Sequence, residues 1–173
     1  MVLGSGTLAT GCTNGPGRRG EKGRKSSDNV GGPAKPDPDI ALATAALAGE
    51  RAALEALEAT IASHRGSRGA LRPIVEAHRA HISLLAQAAR DDSPAPTPSR
   101  PDNSSAPFRV PGTARKALAR LAAEERALST AAKRRAFTAQ SGAFARLLAS
   151  MAAAAGQHAV LLDEKSSATA SKS

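Results

Sequence analysis

The chain has 173 residues, a formal net charge of +9 and a pI near 10.8, with 41% hydrophobic but only 2% aromatic residues. Phe108, Phe137 and Phe144 are its aromatics, so a core has to be built from Leu and Ala, a composition that favours close helix–helix packing over a sheet. No run approaches the roughly 20 apolar residues of a membrane span, and the single cysteine, Cys12, excludes a disulfide framework and a cysteine-based zinc site.

Residues 1–12, MVLGSGTLATGC, end in Leu8-Ala9-Thr10-Gly11-Cys12. This stretch resembles a bacterial lipobox, in which small residues precede a cysteine that is lipidated and becomes the mature N-terminus. It departs from that pattern at Ala9, where Leu is commoner, and no basic region or full apolar region precedes it; a start site further upstream would supply both. The expectation is a lipid anchor at Cys12, placing the protein at the cell membrane on its extracytoplasmic face. The alternative is an unanchored N-terminus with a chance Gly-Cys pair.

Residues 13–36 are rich in Gly, Pro, Ser and Lys and have almost nothing to bury, which predicts a disordered linker. Six basic residues (Arg18, Arg19, Lys22, Arg24, Lys25 and Lys35) stand against Glu21 and Asp28, a net +4. A tether above an anionic membrane surface accounts for that charge. The other reading is a cytoplasmic basic helical protein that contacts nucleic acid through this arm, but the chain has no Trp or Tyr to stack on bases and its helices carry mixed charges.

From residue 37 the pattern turns helical. Asp37 is a good N-cap, Pro38 suits the first helical position, and Asp39 complements the helix dipole. Ile40, Leu47, Leu54 and Ile61 recur every seven residues, as do Ala43, Glu50, Leu57 and His64, so Glu50 lies on a face that should be buried. The helix should stop at Gly66, and a Ser67-Arg68-Gly69 turn should lead into a second helix with Pro73 in its first turn. There the seam is Leu71, Val75, His78, Ile82, Leu85 and Ala89, with Ile74 and His81 beside it. Residues 91–112 form a Pro/Ser-rich crossing without periodicity, long enough to travel the length of a bundle of about 30 Å. Thr113 is a plausible cap for a third helix whose seam is Ala114, Leu118, Leu121, Glu125, Leu128 and Ala132. A break at Gln140-Ser141-Gly142 precedes a fourth helix carrying Phe144, Leu147, Leu148, Met151, Ala155, His158, Leu161 and Leu162. The bundle is expected over residues 37–165, with a polar, disordered tail over 166–173.

The four seams thus offer one polar residue each: Glu50, His78, Glu125 and His158, with His81 and His64 nearby. In this order, and with the motifs EAHRAH and AAGQHAVLL, residues 37–165 resemble the ferritin-like superfamily, closest to small ferritin-like proteins of high-GC bacteria, many of them exported or lipid-anchored. The resemblance implies an all-α, up-down four-helix bundle with a long crossover between helices 2 and 3. In that family a Glu on helices 1 and 3 and a Glu-x-x-His on helices 2 and 4 hold two metal ions. Here the residues three before His78 and His158 are Val75 and Ala155, and Glu76 is one step too far round the helix to replace Val75. A di-iron centre short of both acids has too few anionic oxygen ligands, so oxygen chemistry is not expected.

Three readings of the inward polar residues stay open. Glu50, His78, Glu125 and His158, with His81 one turn from His78, hold one divalent ion such as Zn, Mn or Fe. They pair as Glu–His hydrogen bonds that fix helix register. Or the seams are displaced by one step and some of them face water. No nucleophile–base set and no phosphate loop is present, so the expected function is non-catalytic: binding an unidentified protein partner, or at most a single divalent metal or small ligand in the bundle core.

Overall fold

The structure, a computed structural model, describes residues 37–89 and 108–170. Cys12, the linker and most of the crossover lie outside the described residues. Among the described residues four α-helices are formed: α1 (Pro38–Ser63), α2 (Arg68–Ala88), α3 (Ala114–Thr138) and α4 (Gly142–Ala170). No strand occurs among the described residues, and no helix is long and apolar enough to cross a membrane.

The helix starts follow local chemistry. The Asp37 carboxylate accepts from the Asp39 amide at 2.8 Å, and the Thr113 hydroxyl accepts from the Lys116 amide at 3.3 Å, each satisfying a donor that the first turn leaves without an intrahelical partner. The link between α1 and α2 is tighter than the sequence suggests. A single 3-10 turn, Arg65–Ser67, joins them, and Arg68 and Gly69 are already helical. Pro73 therefore lies just beyond the first turn of α2, where it leaves the Gly69 carbonyl without its helical donor. At the other end, α4 runs on to Ala170, so the segment expected to be a tail from residue 166 is helical for most of its length.

Interhelix contacts fix the directions. Asp39, in the first turn of α1, accepts from the backbone amides of Gln140 (2.9 Å) and Ser141 (2.8 Å) in the α3–α4 connection. The His64 ring, at the far end of α1, donates through Nε2 to the Pro111 carbonyl, just before α3, at 2.9 Å. Helices α1 and α3 are therefore antiparallel neighbours. The short turns make α1/α2 and α3/α4 antiparallel as well, which leaves α2 and α3 pointing the same way: up, down, down, up. Ala89 and Phe108 consequently lie at opposite ends of the bundle, roughly 30 Å apart for helices of this size.

Two apolar clusters fill the interior. One gathers Leu57, Leu71, Ile74, Leu118, Leu121 and Leu162 toward the Phe108 end; the other gathers Ala43, Ala46, Leu85, Phe144, Leu148 and Met151 toward the start of α1. On α1 the deep stripe is Ala43, Glu50 and Leu57, while Ile40, Leu47, Leu54 and Ile61 are only partly buried. Small residues let α3 and α4 approach closely: Ala122, Ala132, Ala152, Ala155 and Ala159 are buried, and Ser129 Oγ donates to the Ala152 carbonyl at 2.7 Å. Between the two apolar clusters lies a layer of buried polar side chains.

Candidate metal centre

All four helices contribute to that layer. Glu50 of α1, His78 of α2 and Glu125 of α3 are each at most 3% exposed, so each has exchanged water for the interior. Burial on this scale is tolerated only when partners replace the lost solvent. His78 sits at the centre. Its Nδ1 donates to Glu50 Oε2 at 2.6 Å and its Nε2 to Glu125 Oε1 at 2.8 Å, so one imidazole ties three helices together. His81, one turn further along α2, donates through Nδ1 to the same Glu50 Oε2 at 3.2 Å. His158 of α4 turns its Nδ1 toward Glu125 Oε2 at 3.5 Å, too long for a good hydrogen bond. The chain of contacts reads His81, Glu50, His78, Glu125, His158, nearly symmetric about His78.

Ring nitrogens that both face carboxylates define the protonation state. Burial alone would push His78 toward the neutral form, but the hydrogen bonds to Glu125 and Glu50 outweigh it and raise its pKa to about 9. His78 is then an imidazolium clamped between two carboxylates. Burial would raise the carboxyl pKa of Glu50; hydrogen bonds from His78 and His81 override it and hold Glu50 below the ordinary value. Glu125 is also held low: burial opposes its ionisation, and the side chains of His158 and His78 facing its two oxygens overcome that.

The two ends of this chain differ. Around Glu50 the hydrogen bonds close. Around Glu125 they do not: Glu125 Oε2 and His158 Nδ1 are buried, face each other and have no hydrogen-bond partner. Two sets of three, Glu50/His78/His81 and His78/Glu125/His158, have ligand atoms within 4.8 Å of one another. A tetrahedral ion with bonds of about 2.1 Å spaces its ligands about 3.4 Å apart. The open Glu125–His158 gap is already that wide, whereas the 2.8 Å His78–Glu125 contact is shorter and would have to relax. The outer side of His158 borders a cleft of about 350 Å³ between the start of α2 and the end of α4, walled also by Ala70, Pro73 and Leu161.

The structure therefore brings together all five residues singled out from the sequence as metal ligands: Glu50, His78, His81, Glu125 and His158. His64, near these residues in the sequence pattern but outside the ligand set, stands at the C-terminal end of α1, caps it and reaches Pro111. Val75 and Ala155 are buried, Val75 within the apolar cluster around Leu57, and Glu76 is exposed beside Arg72, so no further acid enters the layer. Glu124 is likewise drawn outward to Arg120. With two carboxylates and three imidazoles, the set does not fit a carboxylate-bridged di-iron centre; it fits one ion of the kind that imidazole and carboxylate share. Sequence reasoning missed Asp39, whose carboxylate fastens the α3–α4 connection from a hundred residues away, and Ser129, which seals α3 against α4. Asp39 reads from the sequence only as a first-turn acid, and Ser129 carries no signal at all. Comparison with protein-family models, with curated proteins and with solved structures gave no match for the chain, so the meaning of the polar layer rests on its own geometry.

Proposed function

We propose that this chain is a non-catalytic ferritin-like bundle that binds a single divalent cation in its polar layer and is held at the extracytoplasmic face of the cell membrane by a lipid on Cys12. The observation that carries the cation is the facing pair Glu125 Oε2 and His158 Nδ1, 3.5 Å apart, both buried and both without a hydrogen-bond partner. A buried unsatisfied polar atom costs about 1–3 kcal/mol, and a cation between the two atoms would remove both costs. Glu50 supports the reading. By accepting from His78 Nδ1–H it fixes the ring orientation and leaves Nε2 as the ligating nitrogen, the carboxylate–histidine–metal arrangement common around protein-bound zinc. Charge agrees as well, since one dication and neutral imidazoles balance Glu50 and Glu125. The ferritin-like reading is supported by the up, down, down, up order, in which α2 ends and α3 begins at opposite ends of the bundle. The anchor is supported by the Leu-Ala-Thr-Gly-Cys stretch and the basic linker after it.

The test is elemental analysis of the full chain, purified without affinity-tag histidines and without chelators. Near-stoichiometric zinc, manganese or iron that disappears in a His78→Ala/His158→Ala double variant supports the reading. A metal-free protein that takes up no divalent ion on titration overturns it.

A further inference from the structure

Building on the single-cation reading, the nearly symmetric layer has a consequence that one fixed site would not have. Two three-residue sets share His78: Glu125 and His158 lie on its Nε2 side, Glu50 and His81 on its Nδ1 side. A neutral imidazole has one lone pair in the ring plane, and its other nitrogen carries hydrogen. Whichever nitrogen takes the cation, the other must keep its proton, and a carboxylate waits on each side to accept it. We propose that the core contains two mutually exclusive half-sites, and that one divalent cation occupies either the Glu125/His158 side or the Glu50/His81 side, with His78 changing tautomer between them. His78 is thus a selector as well as a ligand.

Charge enforces the exclusion. One dication is neutralised by Glu50 and Glu125; a second would leave a net +2 inside the bundle, with no other carboxylate in the layer to offset it. The hydrogen-bond pattern ranks the two sides. On the Glu125/His158 side two buried atoms already lack hydrogen-bond partners, so binding there gives up a single hydrogen bond, His78–Glu125, and the long 3.5 Å Glu125–His158 contact. On the Glu50/His81 side binding must break the 2.6 Å bond to His78 and the 3.2 Å bond to His81. The cation therefore fills the Glu125/His158 side first and keeps the other in reserve. Both outer imidazoles lie near the surface, at 13% and 16% side-chain exposure, so an ion can reach either half-site without the bundle opening.

A double-mutant cycle with Co2+ as the probe tests this, because its visible absorption reports the ligand set and its titration reports stoichiometry. In the full-length chain, one Co2+ per molecule is expected. His81→Ala should change affinity less than about threefold, because it alters the reserve side. His158→Ala should weaken binding by roughly 10–100-fold yet leave one Co2+ per chain, moved to Glu50/His81. In that second background His81→Ala should abolish binding within the titrated range, an effect of His81 that depends on the absence of His158. Melting in chelator checks that each variant folds, and His158→Leu replaces His158→Ala if the smaller side chain unfolds the bundle. An effect of His81→Ala that is the same in both backgrounds, or two Co2+ per wild-type chain, overturns the two half-sites while leaving cation binding intact. No Co2+ uptake by the wild type removes both.

Discussion

The clamped imidazolium makes the stability of the metal-free protein depend on pH in a defined direction. His78 titrates at about 9 in the folded chain and near its ordinary 6.5 in the unfolded one. The folded state therefore binds one more proton than the unfolded state between these values. Unfolding free energy should fall by about 1.4 kcal/mol per pH unit across that window and by about 3 kcal/mol in all. The contribution is complete below pH 6.5 and is lost as pH rises through 9. Glu50 and Glu125 act in the opposite sense, because their folded pKa values lie below 4.5: their contribution is present above that value and is lost in acid. Stability should thus be greatest between about pH 4.5 and 6.5. The assay is urea unfolding followed by far-ultraviolet circular dichroism, in chelator at fixed ionic strength, at half-unit steps from pH 5 to 9.5. The control is Glu50→Leu/His78→Leu/Glu125→Leu, which removes the clamp while other titrating groups remain. A wild-type curve that is flat or rising from 6.5 to 9, or one that parallels the triple variant, would refute the protonated clamp.

The same layer separates single from concerted replacement. Glu125→Leu alone leaves His78 short of one acceptor and His158 without its facing charge, and should cost about 3–5 kcal/mol, whereas the triple leucine variant should be neutral or more stable at pH 7; urea midpoints compare them. Leu57→Ala, at a fully buried position in the larger apolar cluster, should cost about 2–5 kcal/mol, and Phe137→Ala, at a side chain 89% exposed, should stay within about 0.5 kcal/mol. Gly156→Ala should stabilise by about 0.5–1 kcal/mol, because the added methyl would meet only Ser129 Oγ at an ordinary 3.7 Å and the helix loses a flexible residue; a lowered melting temperature would show that α3 and α4 pack more tightly there than the distance implies. For the anchor, Cys12→Ala should move the protein from the membrane to the soluble fraction of a bacterial host that processes lipoproteins, and unchanged fractionation would remove the lipid from the account.

Much of the bundle was legible along the chain because helices announce themselves locally. Asp37, Pro38 and Thr113 mark starts by their own hydrogen-bonding chemistry, and the seven-residue recurrence of Leu and Ala on each helix selects an inward face without knowledge of its partners. Glu50, His78, Glu125 and His158 could be placed on those faces for the same reason: a side chain follows the phase of its own helix. What the phase could not decide was which of two parallel registers on α1 lies deepest, since Leu54 and Leu57 are equally apolar and only the packing of α2 and α3 against α1 buries Leu57 and leaves Leu54 at the flank. Nor could it decide that His64 turns away to Pro111, that Asp39 reaches the start of α4, or that His78 bonds Glu50 and Glu125 together while His158 stops short of Glu125. These depend on distances of a few tenths of an ångström between helices far apart in sequence. Hydrogen bonds and metal sites are decided at that scale, and only tertiary packing sets it.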